Sequence, residues 1–334
     1  MSTFYIGLKM GSNETCIYKQ GEGIVLREAS LIAMPTNMKI REIKAVGNQA
    51  KKLIGKVPES ITVYSPISNG VIAYDELCTQ MLKCFIKKVF PNKTLGQNIK
   101  AILTVPLGIT VKQKKQFETT CFKAGIAEVF IIPESFADAI GAGRNIQDEA
   151  ASMVVNIGSD LTNISIIAGA QIVKGISLNV GGSILNRAIV KQVEDKFDTV
   201  ISYEQAEQIK TEICSLFDNY SAEIEIFGLN KKTQLSEKII LKSQEFSQIV
   251  KHYYKIITDA INSILGEVNP ETFNDIAKNG LILCGKGSLI IGFEKFISIT
   301  TSLSVDTITD SSGISGTSDL IKYPGLLRKI IKNT

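Results

Sequence analysis

The chain has 334 residues, 44% apolar and 21% charged, which is enough for a large core and more than one core usually serves, so two domains are expected. With 37 basic and 33 acidic residues the net charge is only +4, too small and too mixed to call for nucleic acid as a partner. No apolar run approaches the roughly 18 residues of a membrane span. Cys16, Cys78, Cys84, Cys121, Cys214 and Cys284 sit singly, without CxxC spacing and with no leader evident ahead of the first strand. They read as reduced thiols in a cytoplasmic protein. His252 is the one histidine and sits beside Tyr253 and Tyr254, so it reads as a helix-face residue and not the centre of a metal site or a Ser-His-Asp triad.

In chain order, Tyr5–Tyr18 (YIGLKMGSNETCIY) is a β-hairpin with its turn at Gly11–Glu14, and Gly23–Ser30 adds a third strand. Residues 31–66 are mixed, with a helix expected over Asn48–Gly55, and read as a small inserted lobe. Asp75–Val89 repeats Leu77, Met81, Leu82, Phe85 and Ile86 on one helical face, with acids first and lysines last. A strand at Ala101–Pro106, a helix at Val111–Ala124, a strand at Glu128–Ile132 and a helix at Glu134–Gly143 follow. Met153–Ala168 (MVVNIGSDLTNISIIA) is a second hairpin, continued by a strand at Gln171–Asn179, so the three-strand meander is expected twice. Gly181–Asp198 reads as a helix after a Gly-Gly turn, and Ser202 with Gln205 forms a capping box for a helix running through Phe217. Strands at Ile224–Leu229 and Lys238–Leu241 mark a second lobe, and Ser243–Val268 is one long amphipathic helix or two. Gly280–Cys284 is a buried strand whose Gly285-Lys286-Gly287-Ser288 turn opens a helix through Phe296. Thr300–Gly316 reads as loop around a strand at Val305–Ile308, before a basic helix at Pro324–Lys332.

Laid over each other, the hairpin turns align Gly11-Ser12-x-x-Thr15 with Gly158-Ser159-x-x-Thr162. A tight turn with inward N–H groups and a hydroxyl makes a nest for phosphate, and two such turns can grip a polyphosphate. Gly285–Ser288 places glycines where a purine or its α-phosphate can lie against bare backbone. Each turn alone is ordinary loop chemistry; the duplication inside matching meanders is what points to a nucleotide.

The order of these turns resembles the actin, sugar-kinase and chaperone ATPase fold. Several strings are similar to the MreB-type bacterial actins: AVGNQAKKLIGKVP at Ala45–Pro58, NGVIA at Asn69–Ala73, VPLGIT at Val105–Thr110, PESFADAIGAG at Pro133–Gly143, SLNVGG at Ser177–Gly182, AEQIKTEI at Ala206–Ile213 and GLILCGKGSLIIGF at Gly280–Phe293. The resemblance implies an α/β, actin-like fold, a duplicated ribonuclease H-like arrangement in which each domain is a mixed five-stranded sheet with helices and a smaller lobe. Domain I would comprise 1–30, 67–142 and 315–334 with the lobe 31–66. Domain II would comprise 143–180 and 245–314 with the lobe 181–244.

It further implies a filament-forming cytoskeletal protein that binds ATP or ADP in an interdomain cleft and hydrolyses ATP. Ser12, Asn13, Glu14 and Thr15 would line the first phosphate turn, and Gly158, Ser159, Asp160 and Thr162 the second, with Gly181 and Gly182 beyond it. Glu207 and Lys210 would contact ribose and adenine, and Gly285, Lys286, Gly287 and Ser288 the base and α-phosphate. Glu134 would orient the attacking water, a role that suits a carboxylate, although a helix-start acid is its other reading.

The chain departs from the family where the family keeps the two aspartates that hold hydrated Mg²⁺. Those positions are Lys9 and Asn156, an ammonium and an amide, so Mg²⁺ is not expected to be held in the usual way and hydrolysis should be weak. Lys9 can instead neutralise phosphate directly, and Asp160 can recruit a metal from a new angle. Partners implied are the chain itself in protofilaments, related bacterial actins, and a membrane surface. The membrane contact would use Phe90 and Leu95 in a lysine-rich loop, or the C-terminal LLRKIIKNT, at the inner face of the cell membrane. Two alternatives stay open: a nucleotide-independent subunit that co-polymerises with an active relative, and a monomeric ATPase or kinase of the same fold.

Overall fold

The structure, a computed structural model, describes residues 2–37, 42–92, 97–308 and 310–333. The chain divides into two compact units, Met1–Glu149 with Ser165–Ser177 and Asp310–Thr334, and Ala150–Ile164 with Leu178–Thr309.

The first half of the chain opens with the meander β1 (Thr3–Met10), β2 (Glu14–Lys19) and β3 (Gly23–Ala29). The small lobe follows as β4 (Ile32–Pro35), β5 (Ala45–Val46), α1 (Asn48–Lys51) and β6 (Ile61–Tyr64), leading to the short hairpin β7 (Ile67–Ser68) and β8 (Val71–Ile72). Then come α2 (Asp75–Val89), β9 (Asn98–Val105), α3 (Val111–Lys123), β10 (Glu128–Pro133) and α4 (Glu134–Gly141). The meander is antiparallel, whereas β1 runs parallel to β9 and β9 to β10, giving the order β10-β9-β1-β2-β3. Alternation places Ile6, Leu8 and Ile17 in a core with Phe85 of α2 and Phe117 of α3, each essentially solvent-free.

The second meander is β11 (Ser152–Ile157), β12 (Thr162–Ala168) and β13 (Gln171–Leu178). It is followed by α5 (Gly182–Phe197), β14 (Thr199–Val200), α6 (Tyr203–Glu212), β15 (Glu223–Asn230) and β16 (Ser236–Lys242). The remainder is α7 (Ser247–Leu265), α8 (Pro270–Asn279), β17 (Leu281–Cys284), α9 (Phe293–Thr301), β18 (Val305–Thr307), α10 (Asp310–Lys322) and α11 (Pro324–Lys332). Its large sheet has the order β13-β12-β11-β17-β18, with β11, β17 and β18 parallel. Read from the third meander strand, both large sheets run third, second, first, then two later parallel strands.

Four expectations are corrected. The helix expected from Gly285 to Phe296 is a 3-10 turn at Lys286–Leu289, after which Ile291 pairs with Ser215 and left-handed Gly292 restarts the chain as α9. The same pairing ends α6 at Glu212, short of Phe217, because Leu216 donates its N–H to the Ile291 carbonyl at 2.8 Å. Helix α8 was not expected, although Asn269 caps it by accepting from the Thr272 N–H and Pro270 occupies its first turn. Residues 310–316, expected as loop, begin α10, whose glycines let it approach α4: a Cβ on Gly316 would stand 2.0 Å from the Ala137 carbonyl oxygen.

Candidate functional site

In the first unit, the Gly11–Glu14 turn closes by the Gly11 N–H donating to the Glu14 carbonyl at 3.0 Å. The Ser12 hydroxyl accepts from the Gly70 N–H at 3.3 Å, and the Asn13 carbonyl accepts from the Ser30 N–H at 3.0 Å. The side chains of Glu14 and Thr15, expected to face phosphate, have protein partners. Arg27 of β3 donates to the Glu14 carboxylate at 2.9 Å, and the Thr15 hydroxyl, fully buried, shares a 2.9 Å hydrogen bond with Ser30. Lys9, near the end of β1, reaches across to the first residue of α4 and forms an ion pair with Glu134, whose side chain is only 12% exposed. The residue expected at the metal position and the residue expected to orient water are thus paired with each other.

In the second unit, the Gly158 N–H donates to Leu161 at 2.8 Å, closing the second turn. The first amides of α5 fasten to that turn: Gly182 N–H donates to Gly158 and Ser183 N–H to Ser159, at 3.0 and 2.7 Å. Asp160 accepts from the Ser183 hydroxyl at 2.8 Å, and the buried Thr162 hydroxyl donates to the Val180 carbonyl at 2.5 Å. Gly181 must be bare, since a Cβ there would lie 2.4 Å from the Ser159 carbonyl oxygen.

One helix away, Lys210 and Glu207 of α6 pair at 2.7 Å, and the Asn186 amide of α5 donates to the same Glu207 oxygen at 2.5 Å. The Lys210 ammonium stands 3.0 Å from where a Cβ of Gly182 would be, so a largely buried positive charge lies beside the N-terminus of α5. The third glycine turn follows β17. Gly285 adopts φ +83°, and a Cβ on it would meet the Ile157 carbonyl at 2.3 Å and Asn156 Oδ1 at 2.7 Å. The Ser288 hydroxyl, expected to face the ligand, donates to the Gly285 carbonyl at 2.6 Å within its own turn, while Lys286 is exposed. The unit therefore gathers Gly158–Thr162, Gly181, Gly182, Glu207, Lys210, Asn156 and Gly285–Ser288 around the ends of β11, β17 and α5.

Sequence reasoning missed Ser183 and Asn186, whose signal was their place one and four residues after the Gly-Gly pair. It also missed Tyr253 and Tyr254 of α7, which bond to Gly181 and Gly287. Burial pushes both phenols well above the usual tyrosine range.

The membrane candidates fare differently. Phe90 is buried, its ring 5.2 Å from that of Phe4, which corrects its assignment to a surface contact. Leu95 lies outside the described residues. Leu327 and Ile330 of α11 are buried and Leu326 is half-buried, whereas Ile331 is exposed together with Arg328, Lys329 and Lys332. Among the described residues no helix is long and apolar enough to cross a membrane.

A family model described as MreB/Mbl protein matches residues 3–327. The chain belongs to the MreB/Mbl family. This family member is 31% identical over 308 residues to the cell shape-determining protein MreB of Escherichia coli strain K12, covering 91% of this chain and 89% of that protein. It is 30% identical to the cell shape-determining protein Mbl of Bacillus subtilis strain 168, over 87% of each. Among solved structures it is similar to MreB5 of Spiroplasma citri bound to ADP, with a TM-score of 0.90, 27% identity and 99% of each chain covered. A MamK double helical filament, at TM-score 0.80 and 15% identity over 96% of this chain and 99% of that one, shares the fold. The fold of this MreB/Mbl family member is therefore actin-like, and its two large sheets share one strand order.

Proposed function

We propose that the chain is a filament-forming bacterial actin of the cytoskeleton that binds ATP or ADP and hydrolyses ATP slowly. Nucleotide binding is supported by the MreB5 structures with ADP and with AMPPNP, and by the chemistry of the second unit. Bare glycine backbone at two turns, a buried lysine beside a helix N-terminus and a carboxylate one helical turn away fit phosphate, base and ribose. Self-association is supported by family membership and by the cell shape role of the named relatives.

The observation that carries slow hydrolysis is the Lys9–Glu134 ion pair. The ammonium of Lys9 engages Glu134 Oε1, one of the two oxygens with which the carboxylate could aim an attacking water, and ties that side chain to β1. Lys9 and Asn156 supply no carboxylate oxygen at the two positions where metal-holding acids are expected, so those two positions do not fit an anchored Mg²⁺. Lys9 serves instead as a fixed positive charge. The test is steady-state phosphate release. The wild type is expected to be slow and little affected by Glu134→Ala, whereas Lys9→Asp, which frees Glu134 and restores an acid, is expected to raise turnover by up to about 100-fold. Brisk wild-type turnover that Glu134→Ala abolishes overturns the impaired-site reading.

A further inference from the structure

Two consecutive tyrosines tie two separate glycine turns to one helix. Tyr253 and Tyr254 are 6% and 1% exposed and lie in the first half of α7. The Tyr253 hydroxyl donates to the carbonyl of Gly181, at the cap of α5. The Tyr254 hydroxyl donates to the carbonyl of Gly287, in the turn after β17, at 2.7 Å. Successive helical side chains diverge by about 100°, so one helix can address two turns on different elements only where both pack against it. The two tyrosine rings meet edge to face at 5.7 Å, and Tyr254 packs at a tilt, 4.4 Å between centroids, on Phe293 of α9. Both turns lie close against their neighbours: a Cβ on Gly181 would strike the Ser159 carbonyl, and one on Gly287 would lie 2.3 Å from Ile157 Cγ2.

We propose that Tyr253 and Tyr254 are positioning residues for nucleotide binding, with α7 fixing the spacing between the second phosphate turn and the base turn. This rests on the nucleotide reading above. Gly182 and Ser183, which follow Gly181 directly, hold the second turn through the Gly158 and Ser159 carbonyls, so Tyr253 acts on phosphate; Gly287 belongs to the Gly285–Ser288 turn, so Tyr254 acts on the base end. A turn held in place before the ligand arrives costs less to order on binding.

The test uses the full chain with Tyr253→Phe, Tyr254→Phe and the double variant, each of which keeps the ring and loses the hydroxyl. Dissociation constants for adenosine, AMP and ADP are measured by calorimetry. Loss of one hydrogen bond predicts about three- to tenfold weaker binding. For Tyr253→Phe the loss is expected to grow from adenosine to ADP, and for Tyr254→Phe to be the same for all three. Hydrogen exchange of the unliganded variants gives a second readout: faster exchange in 181–187 for Tyr253→Phe only, and in 285–289 for Tyr254→Phe only. Equal losses for every compound in both variants, or exchange that rises uniformly, would mean a merely structural role and overturn the proposal. Wild type that binds none of the three compounds overturns the nucleotide reading and this proposal with it, an outcome distinct from the first.

Discussion

At Gly285 one hydrogen atom decides whether two strand ends can meet. The residue holds φ +83°, and any Cβ would enter the space of the Ile157 carbonyl and the Asn156 side chain. Gly285→Ala therefore meets two costs, a positive-φ extended backbone that essentially only glycine adopts, at about 1–3 kcal/mol, and a clash that moves the turn away from β11. A lower melting temperature together with at least about tenfold weaker ADP binding is expected, and unchanged affinity would separate this turn from the nucleotide. The buried thiols make a different kind of residue-scale statement. Burial, the largest cause in each case, pushes Cys16, Cys121 and Cys214 up to about 12, from an ordinary value of 9.0. Above about pH 9 the unfolded chain loses these protons while the native state keeps them, so the native state binds more protons and stability falls as pH rises. The slope is at most about 1.4 kcal/mol per thiol per pH unit. Urea midpoints at about pH 8 and about pH 10 check it: a clear fall is expected, and equal midpoints contradict it.

Among the elements, α10 shows where sequence reasoning stops. Its DSSGISG opening has the composition of a loop, and helix propensity alone disfavours it by about 1 kcal/mol per glycine. The helix forms because it packs against α4 and β1: Gly316 faces the Ala137 carbonyl, and Gly7 of β1 faces Thr317, where a Cβ would come within 1.9 Å of the hydroxyl. Tertiary contact overrides propensity. By contrast, α2 and α11 match their expected bounds because apolar spacing, acids at the start of α2 and Pro324 at the start of α11 all agree. The competition in α10 can be measured with Gly316→Ala. Propensity favours the alanine by about 1 kcal/mol, but overpacking against backbone that cannot retreat costs about 1–3 kcal/mol, so net destabilisation is expected. Chemical denaturation of the variant reads the sign directly, and a gain in stability would show that the contact relaxes freely. In α11, Ile330 is fully buried, so Ile330→Ala is expected to cost about 2–3 kcal/mol in chemical denaturation, as the loss of a buried side chain does.

For the whole molecule, the most legible property was duplication: two meanders with aligned turns, followed by later strands, became two sheets of one strand order. The candidate site was legible at its backbone, since glycine positions follow from turn chemistry. It was less so at its side chains, because which hydroxyl bonds to Ser30 or to Val180, and which ammonium meets Glu134, depends on strands brought together across many residues. Assembly is the property that ties these levels together. If the nucleotide turns govern association, high-speed pelleting should rise with AMPPNP or ADP over the nucleotide-free protein, and Gly285→Ala should flatten that difference. If, as proposed, Lys9 paired with Glu134 stands where a metal-anchoring acid is expected, removing Mg²⁺ should change the pelleted fraction less than removing nucleotide. Pelleting that ignores nucleotide would instead identify an assembly subunit whose turns persist only as structure, and protein that stays in the supernatant under every condition would favour a monomeric ATPase on the same fold.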